Sequence, residues 1–128
     1  MNNRYICKAK RKDNGKWVEG YYVCLNENCH RIYTSYAEKD CGDYYPEYYE
    51  VIPKTVSPYT GLEDMNGKWI FENDMLTMPA YRGGRTKSVV YFKNGKFAVD
   101  GSNYAFKDIC PRNMEVIGNI FDNPELLS

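Results

Sequence analysis

The chain contains several short segments in which hydrophobic and polar residues alternate with a period of two. Such alternation is typical of β-strands that bury one face. It is clearest in residues 88–100, where an Asn-Gly dipeptide at positions 94 and 95 suits a two-residue hairpin loop. The resulting register places four apolar side chains on one face: Val90, Phe92, Phe97 and Val99.

Two further Asn-Gly turns predict two more antiparallel hairpins. The first turn, at Asn14, connects a strand over residues 4–11 with one over 16–25, and its loop can contain two, three or four residues. The second turn, at Asn66, precedes Trp69. In both cases an aromatic residue soon after the turn restarts a strand.

The middle of the chain predicts loops and an edge strand. Residues 31–36 have the composition of a strand, and the pattern resumes at 44–52 after a polar break. Pro46 has no backbone N–H to donate, so the segment around it cannot be a central strand.

The second half predicts two more strands and a helical turn. One strand covers residues 69–78 and passes through a polar corner at 72–74, and the other covers 114–121. Asn123 followed by Pro124 is a helix start signal, so the last residues should form one helical turn.

Antiparallel, locally connected strands predict a mainly β fold, built either as a small barrel or as paired sheets. We expect one domain over residues 1–128. It should have an N-terminal hairpin and Tyr-rich part at 1–52 and a C-terminal β-barrel-like part at 53–128.

Composition and charge limit the classes of function that the chain can have. The chain has 13 tyrosines and balances 17 Lys and Arg against 17 Asp and Glu. A neutral chain is not typical of a general polyanion binder, and it offers little resistance to self-association. The charges are nevertheless segregated into a basic zone at 4–12 and an acidic zone at 38–74. These zones can pair within one fold or between subunits.

The chain shows no secretory leader pattern and no apolar run of membrane-spanning length. We therefore expect a cytoplasmic protein that does not bind membranes. The five cysteines are expected to be reduced thiols in that compartment.

Neither a metal site nor a catalytic site is predicted. Cys24, Cys29, His30 and Cys41 are clustered, but their spacing does not match the short paired motifs of zinc sites. His30 is the only histidine and lies in no nucleophile motif. The acidic pairs Glu63 with Asp64 and Glu72 with Asp74 are typical of turn residues. We expect no cofactor, no catalytic residue and no enzymatic activity.

Three segments resemble a known family. They are residues 52–68 (IPKTVSPYTGLEDMNGK), 70–74 (IFEND) and 115–127 (EVIGNIFDNPELL). Together with KWVEG at 16–20, they look like the signature segments of the YopX-like proteins of phages and prophages. The chain departs from the family pattern at Asn73, where glycine is usual, and at Pro58, where glutamine is common.

The resemblance implies a mobile-element origin and assembly into a homo-oligomer, with no established activity and no catalytic residues to transfer. Three binding partners are therefore considered as alternatives: a second copy of the chain, single-stranded nucleic acid and a host protein. The predicted interface residues are Tyr44, Tyr45, Tyr48 and Tyr49. The predicted anion or nucleic-acid contacts are Lys10, Arg11, Arg82, Arg85 and Lys87.

Overall fold

The computed structural model describes residues 5–38, 44–80, 83–100 and 106–127. Its regular structure is β-strand apart from short 3-10 helical turns, which confirms the mainly β prediction. The described sheets are antiparallel and are not closed into a barrel. No helix in these ranges has the length and hydrophobicity needed to cross a bilayer.

The chain divides into two compact units, Met1–Pro58 and Tyr59–Ser128. The first unit contains an antiparallel sheet with the order β4-β3-β2-β1. Its strands are β1 (Ile6–Lys10), β2 (Trp17–Asn26), β3 (Cys29–Glu38) and β4 (Tyr44–Glu50). The inner face buries Ala9, Ile32 and Val51, with Cys7, Val18, Tyr22 and Val56 packed around them.

β2 and β3 approach each other closely at Gly20. A β-carbon at this position would overlap the carbonyl oxygen of Tyr33 and would lie 2.9 Å from a methyl carbon of Ile32. Only glycine therefore fits between the two strands at this point.

The first hairpin uses the longest of the three predicted loops. The Arg11 N–H donates to the Lys16 carbonyl at 2.8 Å, which leaves residues 12–15 as the loop. β4 contains Pro46 and ends the sheet order of this unit, as the edge-strand prediction required.

The second unit contains two three-stranded sheets and one hairpin. The first sheet has the order β12-β7-β8, and the second has the order β11-β10-β9. The hairpin joins β5 (Ser57–Glu63) to β6 (Trp69–Phe71). The other strands are β7 (Asp74–Pro79), β8 (Arg85–Val89), β9 (Tyr91–Lys93), β10 (Lys96–Asp100), β11 (Phe106–Asp108) and β12 (Glu115–Asn119). Ile70, Leu76, Val90, Val99 and Met114 are fully buried in its core.

The register predicted for the third hairpin is confirmed, because Phe92 pairs with Phe97 and Lys93 pairs with Lys96. The expectation that four apolar residues share a buried face is only partly right. Val90 and Val99 are buried, whereas the Phe92 side chain is 57% exposed. Phe92 is closer to the end of the hairpin and extends beyond the core.

The strand predicted over residues 69–78 is interrupted at its corner. β6 ends at Phe71 and β7 begins at Asp74. Asn73 has a positive φ of 73°, a conformation that asparagine tolerates better than most residues. The buried carboxylate of Asp74 accepts the Phe71 N–H at 2.8 Å and fixes the corner. The C-terminal helical turn is confirmed at Pro124–Leu127.

Candidate functional site

The outer face of the first unit's sheet carries a row of aromatic residues. The registers of β1 to β4 align Ile6, Tyr21, Tyr33 and Tyr48 across the sheet. Because side chains alternate along a strand, these residues lie opposite the buried Ala9 and Ile32. We call this surface the tyrosine face. It comprises Trp17, Tyr21, Tyr33 and Tyr48 with the charged residues Lys8, Lys10, Glu19, Arg31 and Glu50.

Two of the four aromatic side chains of this face are exposed to solvent, and Trp17 and Tyr33 are half-buried. Tyr21 is 43% exposed and Tyr48 is 42% exposed. Tyrosine and tryptophan have a large apolar area and lose little rotamer entropy when they are buried, so they contribute strongly to protein interfaces. The row of rings therefore has the composition of a protein-binding surface.

Arg31 joins two of the tyrosines. Its guanidinium carbon lies 4.2 Å from the centre of the Tyr48 ring. One terminal nitrogen donates a hydrogen bond of 3.1 Å to the Tyr33 hydroxyl. The Tyr33 and Tyr48 rings are themselves 5.3 Å apart and tilted by 40°. The three side chains form one preorganised cluster.

The two lysines of β1 lie against the tryptophan of β2. The ammonium of Lys8 is 4.7 Å from the centre of a Trp17 ring, and that of Lys10 is 5.5 Å away. Both distances are within the range of cation–π attraction. The rings of Trp17 and Tyr48 thus already have cations of the same chain on them, and less of each ring surface is open to a stacking base.

The predicted tyrosine pair at 48 and 49 is divided between the two faces of the sheet. Tyr48 belongs to the tyrosine face, whereas Tyr49 pairs with Ile32 on the inner side. The Arg11 guanidinium carbon lies 4.1 Å from the centre of the Tyr49 ring. Tyr44 and Tyr45 lie in β4, but their side chains are outside the described residues.

The predicted anion-binding cations are mostly engaged within the chain. Arg11 binds Asp13 through two hydrogen bonds of 3.0 and 2.7 Å, and this guanidinium holds the Asp13 pKa below its usual value. Arg85 donates to the Asn113 carbonyl at 2.7 Å. Lys87 is exposed on β8, and Arg82 is outside the described residues.

His30 lies beside a recess of about 240 Å³ in the first unit. Its Nε2 is 3.0 Å from the Glu27 carbonyl oxygen and must donate to it. In the neutral ring, Nδ1 then accepts from the Tyr22 hydroxyl at 2.7 Å. Both ring nitrogens are therefore engaged. Within the described ranges, no group of three or more His, Cys, Asp or Glu side chains is arranged to hold a metal.

Sequence reasoning did not identify Trp17, Arg31 and Tyr33 as site residues. Alternation along residues 31–36 already places Arg31 and Tyr33 on one side of a strand. What it does not give is the pairing of that strand with β2 and β4, on which the aromatic row depends.

The family model described as YopX protein matches residues 8–128. No curated protein matches the chain. The crystal structure of protein EF1440 from Enterococcus faecalis is similar, with a TM-score of 0.64, 24% identity and coverage of 95% of this chain and 96% of that one.

The X-ray crystal structure of protein yopX from Bacillus subtilis is similar as well. It has a TM-score of 0.60 and 17% identity, and the match covers 98% of this chain and 99% of that chain. At these identities, both likenesses are evidence of a shared fold alone.

Proposed function

The chain belongs to the YopX protein family, and on this premise we propose that it is a non-enzymatic interaction module that assembles with copies of itself through the tyrosine face. We further propose that it is encoded by a phage or prophage and works in the bacterial cytoplasm. The observation that carries the assembly proposal is the exposed row of tyrosines flanked by charges of both signs.

Mixed charge favours an identical partner. The tyrosine face carries Lys8, Lys10 and Arg31 together with Glu19 and Glu50. A face of one sign would repel its own copy, whereas a mixed face can pair with itself in a two-fold arrangement. The chain as a whole is neutral, so no net repulsion opposes assembly.

A non-catalytic role is supported by the hydrogen bonds of the histidine and of the two buried aspartates. The nitrogens of His30 contact Tyr22 and the Glu27 carbonyl. The buried carboxylates of Asp64 and Asp74 accept backbone N–H groups. These hydrogen bonds give His30, Asp64 and Asp74 structural roles.

The proposal is tested by sedimentation velocity of the wild type and of the variant Tyr21→Ser/Tyr48→Ser over a range of concentrations. We expect the wild type to self-associate and the variant to bind at least about tenfold more weakly, because tyrosines often dominate interface energies. Tyr5→Ser is the matched control, since Tyr5 is 61% exposed and lies outside the aromatic row.

Equal association of the tyrosine-face variant and the wild type would contradict the proposal. A fluorescence-anisotropy titration with short single-stranded DNA provides a second check. Binding at micromolar protein that Tyr21→Ser/Tyr48→Ser abolishes would assign this face to nucleic acid instead.

A further inference from the structure

Four charged residues of the tyrosine face form two neighbouring pairs of opposite sign. Lys8 of β1 lies directly across from Glu19 of β2. Arg31 of β3 lies directly across from Glu50 of β4. From β1 to β4, these four residues therefore alternate in sign, beginning with a cation and ending with a carboxylate.

The two pairs lie on opposite sides of the aromatic row. Glu19 precedes Tyr21 by two residues in β2. Arg31 is paired with Val23, which follows Tyr21 by two residues in the same strand. Reversing the face end to end therefore brings each cation of these pairs to the place of a carboxylate, and each carboxylate to the place of a cation. A surface with this property is complementary to a second copy of itself.

The spacing of strands and residues defines how two copies can face each other. Lys8 and Glu50 are three strand spacings apart across the sheet, which is about 14 Å. Along the strands they are four residues apart, which is also about 14 Å. Because the two separations are equal, a two-fold axis that lies between the facing sheets at about 45° to the strands exchanges the two positions. The strands of the two copies then cross at about 90°, which is one of the two common ways in which sheets pack.

The same axis brings Glu19 of one copy to the Arg31 guanidinium of the other. Relative to the point midway between Tyr21 and Tyr33, Glu19 lies half a strand spacing across the sheet and two residues along it. The axis exchanges these two distances, so Glu19 arrives over β4 of the second copy, close to Tyr48. The guanidinium carbon of Arg31 lies 4.2 Å from the centre of the Tyr48 ring. The incoming carboxylate therefore meets a cation that is already held at this place.

Three of the four charges are available for contacts with a second copy. Glu19 and Glu50 are exposed. The hydrogen bond of Arg31 goes to the Tyr33 hydroxyl and not to a carboxylate. Within the described part of the chain, no ion pair involves Glu19, Arg31 or Glu50. A carboxylate from a second copy would supply the counter-charge that Arg31 does not receive from these residues.

We propose that two copies pair face to face with their strands nearly perpendicular, so that Glu19 of each copy binds Arg31 of the other. Lys8 of each copy then binds Glu50 of the other. The inference rests on the proposed self-assembly and specifies the contacts that make the second copy the partner. The charges select the geometry of pairing, while the tyrosine rings supply most of the affinity. Two-fold symmetry makes each contact occur twice and closes the assembly as a dimer.

A charge-swap experiment tests the central contact. Glu19→Lys and Arg31→Glu each place like charges opposite each other twice in a dimer. Each variant alone should therefore associate at least about tenfold more weakly than the wild type at low ionic strength, where charges are least screened. In an equimolar mixture every such contact again joins a cation to a carboxylate, so the mixture should associate at least about tenfold more tightly than either variant alone. Sedimentation velocity measures all three samples.

Matched controls and a second pair of variants accompany this test. Glu27→Lys and Lys54→Glu reverse the charge of exposed residues of the first unit outside the tyrosine face, and both should associate like the wild type. Lys8→Glu and Glu50→Lys leave Arg31 on its tyrosine ring, and their mixture should recover association in the same way. Circular dichroism and thermal melting establish that every variant is folded.

The outcomes separate this inference from the proposed self-assembly. A wild type that is monomeric at all concentrations contradicts both. If the wild type associates through its tyrosines and the charge variants associate as strongly as it does, the charge pairing alone is contradicted. Folded variants whose mixtures associate no more tightly than the separate variants also contradict the pairing.

Discussion

Arg31 shows how tyrosines can hold a cation on a sheet surface in place of a carboxylate. Its guanidinium lies over the Tyr48 ring and donates to the Tyr33 hydroxyl. Its Nε is buried without a hydrogen-bond partner among the described residues. The contact with the Tyr48 ring therefore replaces part of the hydrogen bonding that a buried guanidinium normally requires. The rings are ordered before a partner binds, which lowers the entropy cost of association.

Asp64 is the residue whose loss should destabilise the second unit most directly. Three backbone N–H groups point at its two carboxylate oxygens. In Asp64→Asn, the amide nitrogen would replace one acceptor and leave at least one N–H facing another donor. We expect a loss of about 2–3 kcal/mol in the free energy of unfolding, measured by urea denaturation at pH 7.

The same residue gives a prediction about pH. Burial alone would raise the Asp64 pKa, but the backbone hydrogen bonds from Val116, Lys68 and Asn66 outweigh it and lower the pKa. The unfolded carboxyl has a pKa of about 3.9, so its stabilising contribution is complete above that pH and disappears as the pH falls through the lower folded value. Asp64→Asn should flatten the acid side of the stability profile.

Glu72 supplies the control for that profile. Its pKa is raised by burial, so its ionisation opposes folding as the pH rises. Glu72→Gln should therefore leave stability at pH 7 unchanged or slightly higher. An Asp64→Asn protein as stable as the wild type at pH 7 would contradict the role given to these hydrogen bonds.

At the scale of elements, the approach of β2 to β3 depends on Gly20. In Gly20→Ala the new methyl group would collide with a backbone carbonyl, which cannot move away as a side chain can. The two strands must separate, at a cost of about 2–4 kcal/mol. Urea denaturation of Gly20→Ala measures this loss. Lys16→Ala, at an exposed residue just before the same strand and outside the tyrosine face, should stay within about 0.5 kcal/mol of the wild type. A Gly20→Ala protein of wild-type stability would show that the strands can adapt.

Local signals predicted the elements that depend on local chemistry. Asn94 and Gly95 fixed the register of Phe92 with Phe97, and Pro46 marked an edge strand. The pairing of Cys7 with Pro58 was not predicted, because contacts between distant segments leave no periodic signature. The exposure of Phe92 was missed for a related reason, since alternation gives a face but not the extent of the core.

The candidate site was predicted less completely than the fold. The tyrosine-rich segment was identified, and Tyr48 does lie on the aromatic row. Tyr49 was grouped with it because of their adjacency in sequence, although adjacent strand residues point to opposite faces. The aromatic row joins Tyr21, Tyr33 and Tyr48 from three strands, so it became visible only when the registers of β2 to β4 were known.

At the scale of the whole molecule, the charge balance distinguishes the proposed partner from the alternatives. The chain is neutral, and its tyrosine face carries both signs. A protein that neutralises several phosphates loses about 10³-fold or more in affinity between 50 and 200 mM salt. An interface of aromatic residues with a few opposed charges should depend much less on salt, because exposed pairs are weak and screened while apolar burial is not.

We therefore expect the self-association constant of the wild type to fall by less than about tenfold between 50 and 500 mM sodium chloride. Sodium sulfate at matched ionic strength should weaken association less than chloride does, since sulfate strengthens the burial of apolar surface. Sedimentation equilibrium measures both series, and Tyr21→Ser/Tyr48→Ser shows what remains without the aromatic row. A steep fall with chloride that sulfate reproduces in full would mean that charge pairs, and not tyrosine rings, hold the copies together.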